Sequence, residues 1–181
     1  MKTGLSLLAL MLLPGSAWAG RKAIAPPPLT LEHKHASGAF SFRTPDGWKV
    51  APGASGALEA WSGDLGVRFL YNEGESGYDS LHATCILEGL APASAAEPRL
   101  KYEYEYVGGV LGNRRVLDSA HSMRYDDPVH GHREWRQRTV TVVGGGLSLC
   151  VMSFAPKAVW KTAPEARAVL DAVMGSLTFR R

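Results

Sequence analysis

The sequence predicts an α+β domain in which an antiparallel β-sheet is flanked by helices. Two observations predict it. Short segments with apolar residues at alternate positions recur between residues 40 and 154, and turn residues separate them. A middle segment and a C-terminal segment instead space their apolar residues at helical intervals. Because strands predominate, the two helices are expected to cover the sheet.

The first strands follow from alternation and from turn residues. Residues 40–43 alternate phenylalanine with polar residues, and Pro45-Asp46-Gly47 then forms a turn. Residues 58–61 and 67–71 predict two further strands, separated by Ser62-Gly63-Asp64. So short a connection predicts a hairpin, and therefore antiparallel pairing.

A helix is predicted over residues 79–90. Leu81, Cys85 and Leu90 lie on one helical stripe, and the residue at 79 or 80 can serve as the N-cap. After a connector of small residues, strict alternation of tyrosines with charged residues predicts a strand. Those tyrosines are Tyr102, Tyr104 and Tyr106. Further strands are predicted at 115–125, 134–143 and 147–154, the last two separated by Gly144-Gly145-Gly146.

The last element is predicted to be a helix with a capping box. Thr162 and Glu165 have the spacing of that motif, and Pro164 suits the first turn. Gly175 is expected to end the helix in a left-handed conformation, and residues 176–179 to continue extended. The apolar face that should lie on the sheet consists of Ala166, Val169, Leu170 and Val173.

The first nineteen residues predict a secretory signal peptide. Lys2 provides a positive start, residues 5–13 are almost entirely apolar, and small residues lead to a cleavage site after Ala19. The apolar run is shorter than the roughly 20 residues that a bilayer-spanning helix needs. The mature protein is therefore expected to be periplasmic or secreted, with no membrane span.

Domain organisation follows from this signal and from composition. Residues 1–19 are the predicted signal peptide, residues 20–32 an extended, proline-rich leader, and residues 33–181 a single domain. The formal net charge is +3 for the chain and +2 once Lys2 is removed. So small an excess gives no case for a nucleic-acid partner or for an anionic membrane.

The chain has two cysteines, Cys85 and Cys150. An oxidising compartment favours a disulfide between them. The alternative is two separate buried thiols, since cysteine packs well in protein cores. The bridge requires the middle helix to cross the strand that contains Cys150, with Cα atoms roughly 5.5 to 6 Å apart.

The order of several packing residues resembles the Mog1/PsbP-like superfamily, including its bacterial DUF1795 and DcrB-type members. The resemblance covers nearly the whole mature chain. It implies an α/β/α sandwich in a family whose members mostly act as binding, assembly or accessory proteins. The residues that carry it are Phe40-Ser41-Phe42, Pro45, Gly47, Trp48, Leu149, Val151, Phe154-Ala155-Pro156, Trp160 and Val173 to Phe179.

Motifs of common enzyme classes do not occur in the sequence. It has no Gly-x-Ser-x-Gly elbow, no P-loop, no dinucleotide-binding glycine motif and no His-Glu-x-x-His. Gly74-Glu75-Ser76-Gly77 is one residue short of the elbow. A hydrolase is therefore unsupported, and no cofactor is implied.

Two His-x-His steps form a candidate metal site: His33 with His35, and His130 with His132. Residues two apart on a strand point to the same face, so each step could offer two imidazoles to one Zn²⁺ or Cu²⁺ ion. The alternative is that all four are solvated residues at the ends of elements.

Two further surfaces have a functional and a structural interpretation. The three tyrosines could stack on bases or sugars beside Arg133, Arg136 and Arg138. The structural interpretation places the tyrosines on a sheet face under a helix and the arginines on an exposed strand edge.

Taken together, these features predict an exported, non-catalytic binding or accessory protein of the cell envelope. Its partner would be a protein or a small ligand. The competing hypothesis is a metal-binding protein or metal-dependent enzyme that uses the two His-x-His steps.

Overall fold

The computed structural model describes most of the chain from Ile24 onward. The described residues are 24–53, 56–89, 99–102, 107–111, 114–127 and 131–180. The predicted signal peptide lies outside them. Within the described ranges the chain forms eleven strands and three helices.

The elements occur in the following order along the chain. The first half contains β1 (Leu31–Lys34), β2 (Phe40–Thr44), β3 (Lys49–Pro52), β4 (Leu58–Ser62), β5 (Leu65–Glu73) and α1 (Tyr78–Gly89). The second half contains β6 (Arg99–Tyr102), β7 (Val107–Leu111), β8 (Arg114–Asp127), β9 (Gly131–Val143), β10 (Leu147–Pro156), α2 (Lys157–Thr162), α3 (Pro164–Gly175) and β11 (Thr178–Phe179).

These strands form two antiparallel sheets. The large sheet has the order β3-β4-β5-β10-β9-β8-β6, and β7 also pairs with β8. The small sheet has the order β1-β2-β11. The long strands β8, β9 and β10 pair antiparallel in chain order, which confirms the predicted meander, and each extends beyond its predicted bounds. They form the middle of the large sheet.

The main hydrophobic core lies between one face of the large sheet, the small sheet and α3. Phe42 of β2 stacks on Phe69 of β5 with ring centroids 4.1 Å apart. Leu170 and Val173 of α3 are fully buried in the same cluster. Their position confirms that the apolar face of the terminal helix lies on the sheet.

The opposite face of the large sheet is partly covered by α1. Leu81 and Cys85 of this helix form a second apolar cluster with Val143, Cys150 and Met152. The sheet therefore has helices on both faces, which is the predicted α/β/α arrangement.

The C-terminal helical region differs from its prediction at its start. Residues 157–162 form the separate short helix α2, and the Thr162 hydroxyl donates to the carbonyl of Ala158 within it. The N-cap of α3 is Ala163, which has no side-chain cap. The predicted capping box is wrong, because the chain turns into α2 before it reaches Thr162.

The C-terminal end of α3 also differs from its prediction. Gly175 is the last helical residue, and its φ is not positive; the cap is Ser176, in a right-handed conformation with φ −79°. The Ser176 hydroxyl donates to the carbonyl of Val173 at 2.7 Å and accepts from the backbone N–H of Arg43 at 2.8 Å. A side-chain cap tied to β2 thus replaces the predicted glycine cap.

The folded region begins slightly earlier than predicted. Thr30 donates its backbone N–H to the carbonyl of Thr44, and β1 starts at Leu31. The last two residues of the predicted leader therefore belong to the small sheet. No helix among the described residues is long and apolar enough to cross a membrane.

Candidate functional site

The first His-x-His step lies on and just after β1. The Nε2 atom of His33 is 2.9 Å from the Thr44 hydroxyl, and the Nδ1 atom of His35 is 2.7 Å from the Ser37 hydroxyl. The ring of His35 stacks on Phe40 with centroids 4.8 Å apart. Partial burial lowers the pKa of both imidazoles. Both histidines thus pack on the aromatic side of the small sheet.

The second step lies in or near the loop between β8 and β9. His130 is outside the described residues, and His132 pairs with Asp126 across the β8–β9 ladder. Within the described ranges no group of three or more histidine, cysteine or acidic side chains is arranged to hold a metal ion. The four-histidine site therefore stays a prediction.

The tyrosine stripe falls largely outside the described residues. Tyr102 belongs to β6, where its backbone pairs with His121, and residues 103–106 are not described. The stacking platform stays a prediction for the same reason.

The arginines of β9 do not lie on an exposed edge. β9 sits between β8 and β10 in the middle of the large sheet, so the predicted edge position is wrong. Arg138 forms ion pairs with Asp118 at 2.6 Å and with Asp171 at 2.9 Å, which tie the sheet to α3. Burial raises the pKa of Asp171, and the charge of Arg138 opposes that effect.

A disulfide joins Cys85 of α1 to Cys150 of β10. The two Cα atoms are 6.2 Å apart, and both side chains are fully buried. The helix therefore crosses the strand as the pairing required. Closing a loop between residues 65 positions apart stabilises the fold by about 4 kcal/mol on the chain-entropy model.

Beside the disulfide lies a buried polar cluster that the sequence patterns did not reveal. His82 is 1% exposed; its Nδ1 atom is 2.7 Å from the Thr141 hydroxyl and its Nε2 atom 2.8 Å from the Ser119 hydroxyl. In a neutral imidazole one nitrogen donates and the other accepts, so two hydroxyls satisfy the ring. Burial lowers the pKa of His82 to about 4.

The cluster continues along the centre of the sheet. His121 is fully buried opposite Gln137, whose amide donates to the Thr139 hydroxyl at 2.9 Å. Burial, reinforced by His82, lowers the pKa of His121 to about 4. A signal for the cluster was present. His82 lies three residues before Cys85 on α1, and polar residues lie two apart at Ser119 and His121 on β8 and at 137, 139 and 141 on β9.

The pair formed by Ser119 and His82 has the contact geometry of a nucleophile and its base. Ser119 is 0% exposed and His82 only 1% exposed. A substrate in solution cannot reach either atom in this conformation. The cluster therefore acts as a hydrogen-bonded part of the core.

An accessible cleft opens on the solvent-facing side of the small sheet. Its volume is about 170 Å³. The sheet register places Lys34, Ser41 and Thr178 side by side across the three strands. The cleft is lined by Glu32, Lys34, Gly38, Phe40, Ser41, Thr178, Phe179 and Arg180.

Hydroxyls and cations give this cleft its polarity. The Ser41 and Thr178 hydroxyls are 2.7 Å apart in its floor. The Arg180 side chain lies over the hairpin turn at Gly38. A Cβ added to Gly38 would lie 3.2 Å from the Nη1 atom of Arg180. Lys34 also lines the cleft, together with one acidic side chain, Glu32. Such a site is suited to an anionic group.

The antiparallel sheet between helices, with the small sheet packed beside α3, is the Mog1/PsbP-like fold. The solution structure of the cyanobacterial PsbP protein CyanoP from Synechocystis matches 92% of this chain and 99% of its own, with a TM-score of 0.59 and 11% identity. This confirms the predicted resemblance at the level of the fold.

Two other solved structures are similar. A protein from Bacteroides thetaiotaomicron matches 83% of this chain with a TM-score of 0.51 and 14% identity, and this chain spans only 48% of that protein. The Ran-binding protein Mog1p of Saccharomyces cerevisiae matches 84% of this chain and 96% of its own, with a TM-score of 0.46 and 10% identity. No protein-family model matches the sequence, and no curated protein matches it.

Proposed function

We propose that this protein is an exported, non-catalytic binding or accessory protein of the cell envelope, of the bacterial DUF1795/DcrB type. Its N-terminal segment is the export signal, and the mature protein begins at Gly20. It acts by holding a partner rather than by chemistry.

The observation that carries the proposal is the buried disulfide. Cys85 and Cys150 are both 0% exposed, and the bond anchors α1 to the sheet. Structural disulfides of this kind persist in oxidising compartments and are rare where thiols are kept reduced. The disulfide and the predicted signal peptide thus both support export to an oxidising compartment.

The distribution of reactive groups supports a binding role. The histidine and hydroxyl pairs of the buried cluster are sealed from solvent, while the accessible cleft offers cations and hydroxyls. None of the described residues that line this cleft is a histidine or a cysteine. Such groups orient an anionic partner but do not supply an activated nucleophile.

Fractionation of the native host tests the location and the partner together. We expect the chain in the periplasm or the medium, and we expect cross-linking there to capture a specific partner. Recovery of the protein only from the cytosol, with both cysteines reduced, would contradict export.

The metal hypothesis is tested on the same material. Elemental analysis of the untagged, purified protein measures bound zinc and copper. A stoichiometric metal that is lost in a His33→Ala/His35→Ala variant would favour the metal-binding alternative over the proposed function.

A further inference from the structure

We propose that the solvent-facing side of the small sheet binds acidic side chains on an extended segment of a protein partner. This inference rests on the proposed binding function and assigns it a surface and a partner chemistry. The surface, termed here the basic face, consists of Glu32, Lys34, Ser41, Arg43, Thr178 and Arg180.

The alternation of strand residues places these side chains together. Ser41 and Arg43 lie two apart on β2 and share one face. The register sets Ser41 beside Lys34 on one side and Thr178 on the other. Arg180 follows Thr178 by two residues. Lys34, Arg43 and Arg180 thus share one face with the central pair of hydroxyls.

The positive charge of this face is only partly balanced within the described part of the chain, where Glu32 lies opposite Arg43 in the β1–β2 register. Lys34, Arg43 and Arg180 are all exposed, and none of them forms an ion pair there. Glu32 is the one acidic side chain of the basic face. An excess of two positive charges over an area three strands wide attracts carboxylates and favours their approach.

The central hydroxyls add hydrogen-bond capacity. Ser41 Oγ and Thr178 Oγ1 are 2.7 Å apart. When Thr178 donates in this bond, the Ser41 hydroxyl keeps its own proton for a ligand. A carboxylate in the cleft can therefore accept from a hydroxyl while cations flank it, and charge-assisted bonds of this type are the stronger ones.

The shape of the cleft favours a peptide over a membrane surface. Its volume of about 170 Å³ suits one side chain rather than a broad array of headgroups. The cleft's aromatic residues are buried or half-buried, so they offer nothing to insert into lipid. Both outer strands of the small sheet, β1 and β11, are edges on which an extended segment can align.

Titration with a hexaglutamate peptide tests the proposal. We expect binding to the mature protein at low salt, weakened as salt rises, and no binding of a hexalysine peptide. The Lys34→Glu/Arg180→Glu variant should lose at least tenfold in affinity. Lys161→Glu, which reverses an exposed cation on α2, is the matched control and should stay within twofold of the unchanged protein.

Several outcomes would overturn the assignment. Equal peptide affinity in the double variant and the unchanged protein would do so, as would absence of peptide binding. Sedimentation with phosphatidylglycerol vesicles in place of peptide binding would assign the face to a membrane instead. If the double variant still captures the native partner, the basic face is not the binding site, while the proposed accessory function stands.

Discussion

At the scale of single residues, the close contact between β5 and β10 depends on a glycine. Gly66 pairs with Phe154 across the two strands, and a Cβ at position 66 would overlap the Phe154 ring. The ring also meets Trp135 edge-on at 6.4 Å. The absence of a side chain at Gly66 therefore allows an aromatic contact on the α1 side of the sheet.

Gly66→Ala is expected to destabilise the fold by about 1 to 3 kcal/mol, because the added methyl must displace Phe154. Urea unfolding measures the effect. Gly108→Ala is the control, since Gly108 is exposed on β7 and no atom of the described residues lies within 4 Å of an added Cβ. The control should change stability by less than about 0.5 kcal/mol. Equal losses of unfolding free energy in the two variants would contradict a close contact between Gly66 and Phe154.

The buried histidines predict a pH dependence of stability. Burial lowers the folded-state pKa of His82 and His121 to about 4, below the ordinary value of 6.5. Above pH 6.5 both histidines are neutral in the folded and in the unfolded protein, so the free energy of unfolding does not change with their protonation. As pH falls from 6.5 towards 4 the unfolded state binds protons first, so stability decreases, by on the order of 3 kcal/mol per histidine.

Urea unfolding at several pH values between 7.5 and 4.5 measures this dependence. A His82→Gln variant should be less stable at pH 7.5 but should lose less on acidification. A stability that is constant over this range in the unchanged protein would show that neither histidine is held neutral.

At the scale of elements, the two faces of the large sheet are stabilised differently. α3 packs through a stripe of apolar side chains into the main core. α1 is anchored by a disulfide and by the bonds of His82, with only a small apolar cluster around them. The two helices should therefore respond differently to reduction and to core truncation.

Removing the disulfide should loosen α1 selectively. A Cys85→Ser/Cys150→Ser variant is expected to lose about 2 to 5 kcal/mol in the free energy of unfolding. Hydrogen exchange should rise in α1 more than in α3. Equal exchange in both helices would contradict a local anchoring role.

Truncating the α3 face should instead destabilise the whole domain. Leu170 is fully buried, so Leu170→Ala is expected to cost about 2 to 5 kcal/mol. Glu165→Ala, an exposed change on the same helix, should stay within about 0.5 kcal/mol. An unchanged melting temperature for Leu170→Ala would show that α3 does not dock as described.

At the scale of the whole molecule, location and covalent state are linked. If the chain is exported, the protein recovered from its host should begin at Gly20 and should show no titratable thiols when unfolded without reductant. Mass spectrometry and a thiol assay measure the two properties on one sample. An intact Met1 with two free thiols would contradict both predictions.

The elements with regular apolar spacing could be predicted from the amino-acid sequence. The long strands, the hairpin at Gly63, the triple-glycine turn and the buried stripe around Leu170 all follow from local patterns, because side-chain direction repeats every two or 3.6 residues. The pairing of Cys85 with Cys150 was also accessible, since only one pairing exists.

Contacts between distant segments could not be predicted from the sequence and are seen in the folded chain. Ser176 caps α3 because β2 lies within reach, and the β9 arginines are central because β10 pairs beside them. The neutral state of His82 depends on burial between α1 and two strands, and the basic face arises from a register that joins residues 34, 41 and 178. Local patterns carry no information about such contacts, because they form between residues that are far apart in the chain.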